Sequence, residues 1–77
     1  MTAREMFIKL GYEYSFDTFT LGGTSHFMSY KKKRGYEHIV FNLKNKTVKS
    51  SGALTIDEIK AVYQQCKELD WIEKNAR

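Results

Sequence analysis

The 77-residue sequence contains no proline, a single cysteine and no apolar run long enough to cross a membrane. One cysteine excludes an internal disulfide framework and is typical of proteins that remain in a reducing compartment. A membrane-spanning helix needs about 18 consecutive apolar residues, and the first residues lack the apolar segment of a signal peptide. These absences predict a cytoplasmic protein that makes no contact with a membrane.

Nothing in the composition divides the chain into parts. Without proline, a Gly/Ser-rich stretch or a repeated tract, the sequence offers no linker, second domain or internal repeat. An apolar fraction of 42% is ordinary for a packed chain and too high for a disordered one. We therefore expect one domain over residues 1–77. A core of this size barely offsets the conformational entropy of folding, which favours a homo-oligomer.

The net charge of +4 is unevenly distributed along the chain. Residues 29–50 carry seven basic side chains and one acid, whereas the remainder carries six basic and eight acidic side chains. The positive field therefore belongs to the middle of the chain, where it would draw an anionic ligand such as a nucleotide or nucleic acid.

Each end of the sequence predicts a capped helix. The capping boxes are Thr2 with Glu5 and Thr55 with Glu58. Gly11 suits the left-handed residue that follows the first helix. The second helix is expected over residues 56–72, because its apolar residues recur at helical spacing.

Between the helices the apolar period changes to two, which indicates strands. We expect four of them, at residues 12–21, 25–31, 36–43 and 47–50. The alternation changes phase near Asp17 or Thr18, which predicts a bulge there, and Gly22-Gly23 predicts a hairpin turn. The fold class is α+β: a short N-terminal helix, a four-stranded antiparallel meander and a longer C-terminal helix, with both helices on one face of the sheet.

The register of the second hairpin assigns residues to the two faces of the sheet. A symmetric closure over residues 32–35 places the following pairs opposite each other: Met28 with Ile39, His26 with Phe41, Tyr30 with Glu37, Phe27 with Val40, and Ser29 with His38. Tyr30 then points toward the core. The outer face holds a modest apolar patch of Phe27, Tyr36 and Val40, which is a candidate interface for a second subunit or a partner.

The stretch SYKKKRGY contains four consecutive cations, Lys31, Lys32, Lys33 and Arg34, followed by Tyr36. As a binding site, the cations would hold phosphates and Tyr30 or Tyr36 would stack on a base. As a solvated turn, they would keep a hairpin tip soluble. In a meander, this turn and the basic turn at residues 44–46 lie about 25 Å apart, at opposite ends of an eight-residue strand. One monomer therefore does not form one continuous basic face.

Other chemistry-bearing residues favour structural roles. His26 and His38 fall on opposite faces, Cys66 lies on the apolar stripe of the last helix, and no pairing motif completes a zinc site. Trp71 is expected to close the core beneath the last helix turn. No matched acid, base and nucleophile emerges, so we expect neither an enzyme nor a cofactor.

The stretches AREMFIKLGYE, IVFNLKNKTV and IDEIKAVYQQCKELDWI resemble small uncharacterised proteins encoded by phages and prophages of Gram-positive bacteria. The similarity spans nearly the whole chain, but its motifs are helices, a strand and a hairpin, with no catalytic residues to transfer. It implies a cytoplasmic protein of a bacterial host cell that binds a host factor, nucleic acid or signalling nucleotide.

Two hypotheses about function follow. The first is a non-catalytic, phage-type binding module that acts, as an oligomer, by contact with a host macromolecule such as a protein or with an anionic ligand. The second is binding of nucleic acid or a nucleotide through the basic turn.

Overall fold

A computed structural model of the protein describes residues 1–72. The elements, in chain order, are α1 (Ala3–Lys9), β1 (Tyr12–Phe19), β2 (Ser25–Lys32), β3 (His38–Asn42), β4 (Thr47–Ser50) and α2 (Ile56–Glu68). The strands form one antiparallel sheet in the order β1-β2-β3-β4. The predicted α+β meander between two helices is confirmed. No helix within residues 1–72 combines the length and apolar character that crossing a bilayer requires.

Both predicted capping boxes are present. The Thr2 side chain accepts a hydrogen bond from the Glu5 N–H, and the Glu5 carboxylate accepts one from the Thr2 N–H. Thr55 and Glu58 repeat this exchange at the start of α2. Each box satisfies N–H groups that have no partner within the first helical turn. The predicted left-handed residue after α1 is also confirmed, since Gly11 has a φ of +93°.

Helix α2 ends four residues before the predicted limit of 72. Asp70 adopts a left-handed φ of +62°, and the Trp71 N–H donates to the Cys66 carbonyl at 2.9 Å. This closing bond turns the chain back over the last helical turn. The turn brings the Trp71 ring to 6.2 Å from the ring of Phe41, which confirms that Trp71 closes the core. The apolar pattern continued past Glu68 without a glycine, so no local signal marked this end.

Strands β1 and β2 pair without interruption, from Tyr12 opposite Lys32 to Phe19 opposite Ser25. The predicted bulge near Asp17 or Thr18 is therefore wrong. The change of phase in the sequence has another cause, which is that Phe19 is an apolar residue on the outer face of the sheet. It is 54% exposed there.

The predicted register between β2 and β3 is also wrong, by two residues. Tyr30 lies opposite Ile39 rather than Glu37, and Met28 lies opposite Phe41. The connection spans residues 33–37 instead of 32–35, and the Lys32 N–H donates to the Glu37 carbonyl at 2.9 Å as the hairpin closes. Because the side-chain period of a strand is two, a shift of two leaves every residue on its predicted face.

The core lies between one face of the sheet and the two helices. Its buried cluster consists of Phe7, Tyr12, Tyr30, Ile39, Phe41 and Ala61. Phe7 of α1 stacks on the ring of Tyr30 with 3.9 Å between ring centroids. The Tyr30 hydroxyl donates to Oε1 of Gln65 on α2 at 2.6 Å. Burial raises the pKa of Tyr30 to about 12, so this donor keeps its proton throughout the physiological range. Both helices therefore pack on the same face, as predicted.

Candidate anion-binding site

The connection between β2 and β3, residues 33–37, is held against the C-terminal end of α1. The Lys33 N–H donates to the Gly11 carbonyl at 3.0 Å, which extends the β1–β2 ladder by one residue. Gly11 takes the left-handed conformation there at no steric cost, because it has no Cβ. The backbone thus positions the loop where the first helix turns into the first strand.

A depression of about 300 Å³ opens at this junction. Its lining residues are Leu10, Gly11, Lys32, Lys33 and Arg34. Three consecutive cations therefore share one small concavity. Lysine and arginine side chains supply the donors and positive charge that phosphate groups require.

The structure divides the four cations of the predicted site. Lys31 and Lys32 belong to β2, where successive side chains point to opposite faces of the sheet. Lys31 lies on the outer face beside Glu13, whereas Lys32 lines the depression with Lys33 and Arg34. The prediction that all four charges belong to one hairpin tip is wrong, because Lys31 and Lys32 lie in the strand. Three of the four cations, Lys32, Lys33 and Arg34, meet at the depression.

Lys32 also contributes to the fold. Its ammonium lies 5.1 Å from the centroid of the Tyr12 ring, and the Tyr12 hydroxyl donates to Oε2 of buried Glu58 at 2.5 Å. This hydrogen bond lowers the pKa of Glu58, with smaller contributions in the same direction from Thr55 and the charge of Lys32. Burial, followed by the bond to Glu58, raises the pKa of Tyr12. Lys32 therefore compensates a buried carboxylate as well as lining the depression.

Tyr36 lies in the loop before β3 and is 97% exposed. It is not part of the sheet face, so it does not join Phe27 and Val40 in the predicted patch. An exposed aromatic side chain in the same loop as Lys33 and Arg34 is suited to stacking on a base. The loop also carries an acid, because the Glu37 carboxylate lies against Gly35, 2.6 Å from where a Cβ would project.

The outer face of the sheet has no helix over it among the described elements. Phe27 and Val40 of the predicted interface lie on this face and are half-buried. The exposed aromatic residue of the face is Phe19, which sequence reasoning missed because the expected bulge turned it inward. Phe16 on the core face and Leu21 at the first hairpin tip are also exposed, at 51% and 82%. An uninterrupted alternation through the first strand would have identified Phe19.

The remaining chemistry-bearing residues stay apart. The register places His26 on the core face of the sheet and His38 on the outer face, which confirms their predicted separation. Within residues 1–72, no group of three or more His, Cys, Asp or Glu side chains could hold a metal ion. Cys66 packs half-buried against the core, where burial raises the pKa of its thiol.

A second depression, of about 310 Å³, lies between α1, α2 and β2. Its charged groups are Arg4 and Glu68. Arg4 covers the Tyr14 ring at 3.8 Å, and Glu68 accepts hydrogen bonds from the Ala3 N–H and the Gln64 side chain, each at 2.9 Å. These groups join the two helices to the sheet, so the depression at the basic loop is the better candidate for an anion.

Comparison of the chain with protein-family models, curated protein sequences and solved structures found no match in any of the three. The resemblance to phage proteins therefore stays a prediction.

Proposed function

We propose that the protein is a non-catalytic binding module that holds the phosphate backbone of single-stranded nucleic acid at the basic loop. The observation that carries this proposal is the convergence of Lys32, Lys33 and Arg34 on one depression, with the 97% exposed Tyr36 two residues further along the same loop. Cations that follow the backbone and an aromatic ring that stacks on bases are the two parts of a sequence-tolerant single-strand site.

Exposure distinguishes this loop from an ordinary soluble turn. A tyrosine in a folded domain normally gains stability by burying its ring, and the other tyrosines in β1 and β2 are buried or half-buried. Tyr36 gains nothing of this kind, since it is almost wholly in water. A ligand that stacks on the ring supplies a reason for an aromatic residue at this position.

The presence of cations at the depression also has a purely structural explanation. Leu10 and Gly11, which directly follow the C-terminal end of α1, line the same depression, and the negative end of a helix dipole attracts positive charge. This explanation accounts for Lys33 and Arg34 without any ligand. It does not account for Tyr36. It also predicts that charge reversal at the loop changes the stability of the protein and leaves the binding of nucleic acid unchanged.

The test is the binding of a fluorescein-labelled 12-nucleotide single strand, measured by anisotropy at several salt concentrations. Each phosphate contact contributes about −0.7 to the slope of log K against log salt for single strands. Three cations therefore give a slope near −2, and affinity falls about 18-fold between 50 and 200 mM salt. Absent or salt-insensitive binding would remove the proposal.

A matched pair of variants separates the loop from general charge. We expect Lys33→Glu/Arg34→Glu to weaken binding at least tenfold, because two phosphate contacts become repulsions. Lys44→Glu/Lys46→Glu changes the net charge equally at the opposite end of β3, about 17 Å or more away. It should change affinity less than threefold at 100 mM salt, where the Debye length is about 10 Å. Equal effects of the two variants would show that no site exists at the loop.

Tyr36→Ser tests the stacking part of the proposal. Loss of one aromatic platform is expected to weaken binding about 5- to 160-fold, which corresponds to the usual 1–3 kcal/mol per stacked base. The control is Tyr63→Ser, which removes another exposed tyrosine, from α2. An unchanged affinity in Tyr36→Ser would refute stacking while leaving phosphate contact intact.

A further inference from the structure

We infer that the outer face of the sheet is the interface of a symmetric dimer, in which a second copy packs with its β1 over β4. The face is formed by alternate residues of all four strands. Its charged residues are Glu13 and Asp17 on β1, Lys31 on β2 and Lys49 on β4. The charges of these four residues cancel, but acids lie on one edge of the face and a base on the other.

This distribution makes the face complementary to itself in one orientation. A two-fold axis that runs parallel to the strands turns the second sheet over and exchanges its edges. The β1 edge of each copy then lies across the β4 edge of the other, so Glu13 and Asp17 flank Lys49 twice. Opposite charges across an interface determine orientation and exclude incorrect pairings.

The other face-to-face arrangement is unfavourable. A two-fold axis perpendicular to the strands stacks β1 on β1 and β4 on β4. Asp17 then faces the acids of the second copy, and Lys49 faces a second Lys49. Like charges placed opposite each other suppress an arrangement of this kind. The charges of the face therefore select the parallel axis.

The uncharged residues of the face agree with this arrangement. Across the parallel axis, Ser29 of one copy lies opposite Val40 of the other, so a small residue meets a larger one. Ser29 is only 4% exposed, and its Oγ has no hydrogen-bond partner among the described residues. Phe19, at 54% exposure, and the half-buried Phe27 are the apolar area that a second copy would remove from water.

The parallel axis also determines where the two basic loops lie. The loop between β2 and β3 is close to the middle of the sheet, and rotation about an axis along the strands keeps it at the same end of the molecule. A dimer therefore presents both basic loops at the same end, with each depression on the helix-covered side of its own sheet. This consequence bears on the proposed function, but the dimer itself rests only on the outer face.

The dimer is expected to be weak. Four strands about 4.8 Å apart and roughly five residues long give a face of about 19 by 17 Å. This is well below the roughly 800 Å² that each partner buries in a standard interface. Sedimentation equilibrium between 10 µM and 1 mM protein, at 50 mM salt and without nucleic acid, should show a monomer–dimer equilibrium. A monomer at every concentration would overturn the inference.

Charge variants test the orientation. Lys49→Glu should weaken the dimer at least fivefold under the parallel axis, because it places acid against acid, whereas under the perpendicular axis one like-charge contact merely replaces another. Lys60→Glu on α2, away from the face, is the matched control. Asp17→Lys combined with Lys49→Glu should recover dimerisation. A Lys49→Glu variant that dimerises as tightly as the parent would refute the arrangement.

A distance measurement provides a second test that does not depend on affinity. In Tyr36→Cys/Cys66→Ser, a spin label at the exposed loop reports the separation of the two loops by electron paramagnetic resonance. The parallel axis places the loops across one sheet-to-sheet spacing, within about 20 Å. The perpendicular axis places them at opposite ends of the strands, about 27 Å apart for the eight residues of β2. The longer distance would overturn the inference.

Discussion

The buried hydrogen bond between Tyr12 and Glu58 should contribute strongly to stability. Tyr12 is 1% exposed and Glu58 is 7% exposed. Glu58 Oε2 accepts from the Tyr12 hydroxyl at 2.5 Å, while Oε1 accepts from the Thr55 N–H at 2.8 Å. Tyr12→Phe removes the donor and leaves a buried carboxylate oxygen without a partner. Nearby Lys32 remains, but its ammonium is placed over the Tyr12 ring rather than on that oxygen.

The expected loss follows from the charge of the acceptor. Hydrogen bonds to charged groups contribute about 1.5–3 kcal/mol, so we expect Tyr12→Phe to lower the free energy of unfolding by about 2 kcal/mol. For a domain of this length, each kcal/mol shifts the melting temperature by about 4–8 °C. The variant should therefore melt about 8–16 °C below the parent protein.

Thermal and urea unfolding followed by circular dichroism measure both quantities. Tyr63→Phe is the control, because Tyr63 is 52% exposed and its hydroxyl should contribute less than about 0.5 kcal/mol. A double-mutant cycle with Glu58→Gln should give a coupling energy of at least about 1 kcal/mol. A loss in Tyr12→Phe as small as that of the control, or a coupling near zero, would refute the assignment of this bond as a stabilising contact.

Three further outcomes are expected. The destabilisation in Tyr12→Phe should shrink below about pH 4, because the folded pKa of Glu58 is lowered; its contribution is present above the unfolded value near 4.3 and is lost as pH falls through the folded value. Urea titrations from pH 7 to pH 3 measure this, and a constant difference would contradict it. Gly11→Ala should cost about 1–2 kcal/mol by the same assay, because Gly11 has a φ of +93°; Gly52→Ala is the control, and equal losses would contradict the reason given. Glu37→Gln should strengthen single-strand binding about two- to fivefold by removing the acid of the loop, whereas a weaker complex in anisotropy would count against phosphate contact there.

Local signals in the sequence account for most of the fold. Capping boxes, a glycine after a helix and a two-residue period each depend on near neighbours, so they located α1, the start of α2 and all four strands. Two features of the fold could not be predicted from local signals, and each has a physical reason. The end of α2 is determined by the left-handed conformation of Asp70 and by the packing of Trp71 on Phe41. The apolar periodicity of the helix sequence indicates neither. The register of β2 with β3 depends on where the turn closes, which is between Lys32 and Glu37, one residue further along the chain than the predicted symmetric closure.

The candidate site was only partly predictable. The cations of the basic run are evident in the sequence, but their separation between two faces depends on the residue at which β2 ends. Leu10 and Gly11 could not be assigned to the site, because they reach it through a bond across strands, from the Lys33 N–H to the Gly11 carbonyl. Phe19 was missed on the outer face because a change of phase in the apolar pattern is compatible with either a bulge or an exposed aromatic residue.

The sequence alone determined the class of fold, the faces of β2 and β3 and the positive charge in the middle of the chain. These properties follow from periodicities and compositions that act over a few residues, and a two-residue error in register does not change them. Tertiary structure decided which charges meet. Lys32, Lys33 and Arg34 share a depression because the β1–β2 ladder closes against the end of α1, and Lys31 is separated from them because a strand alternates its side chains.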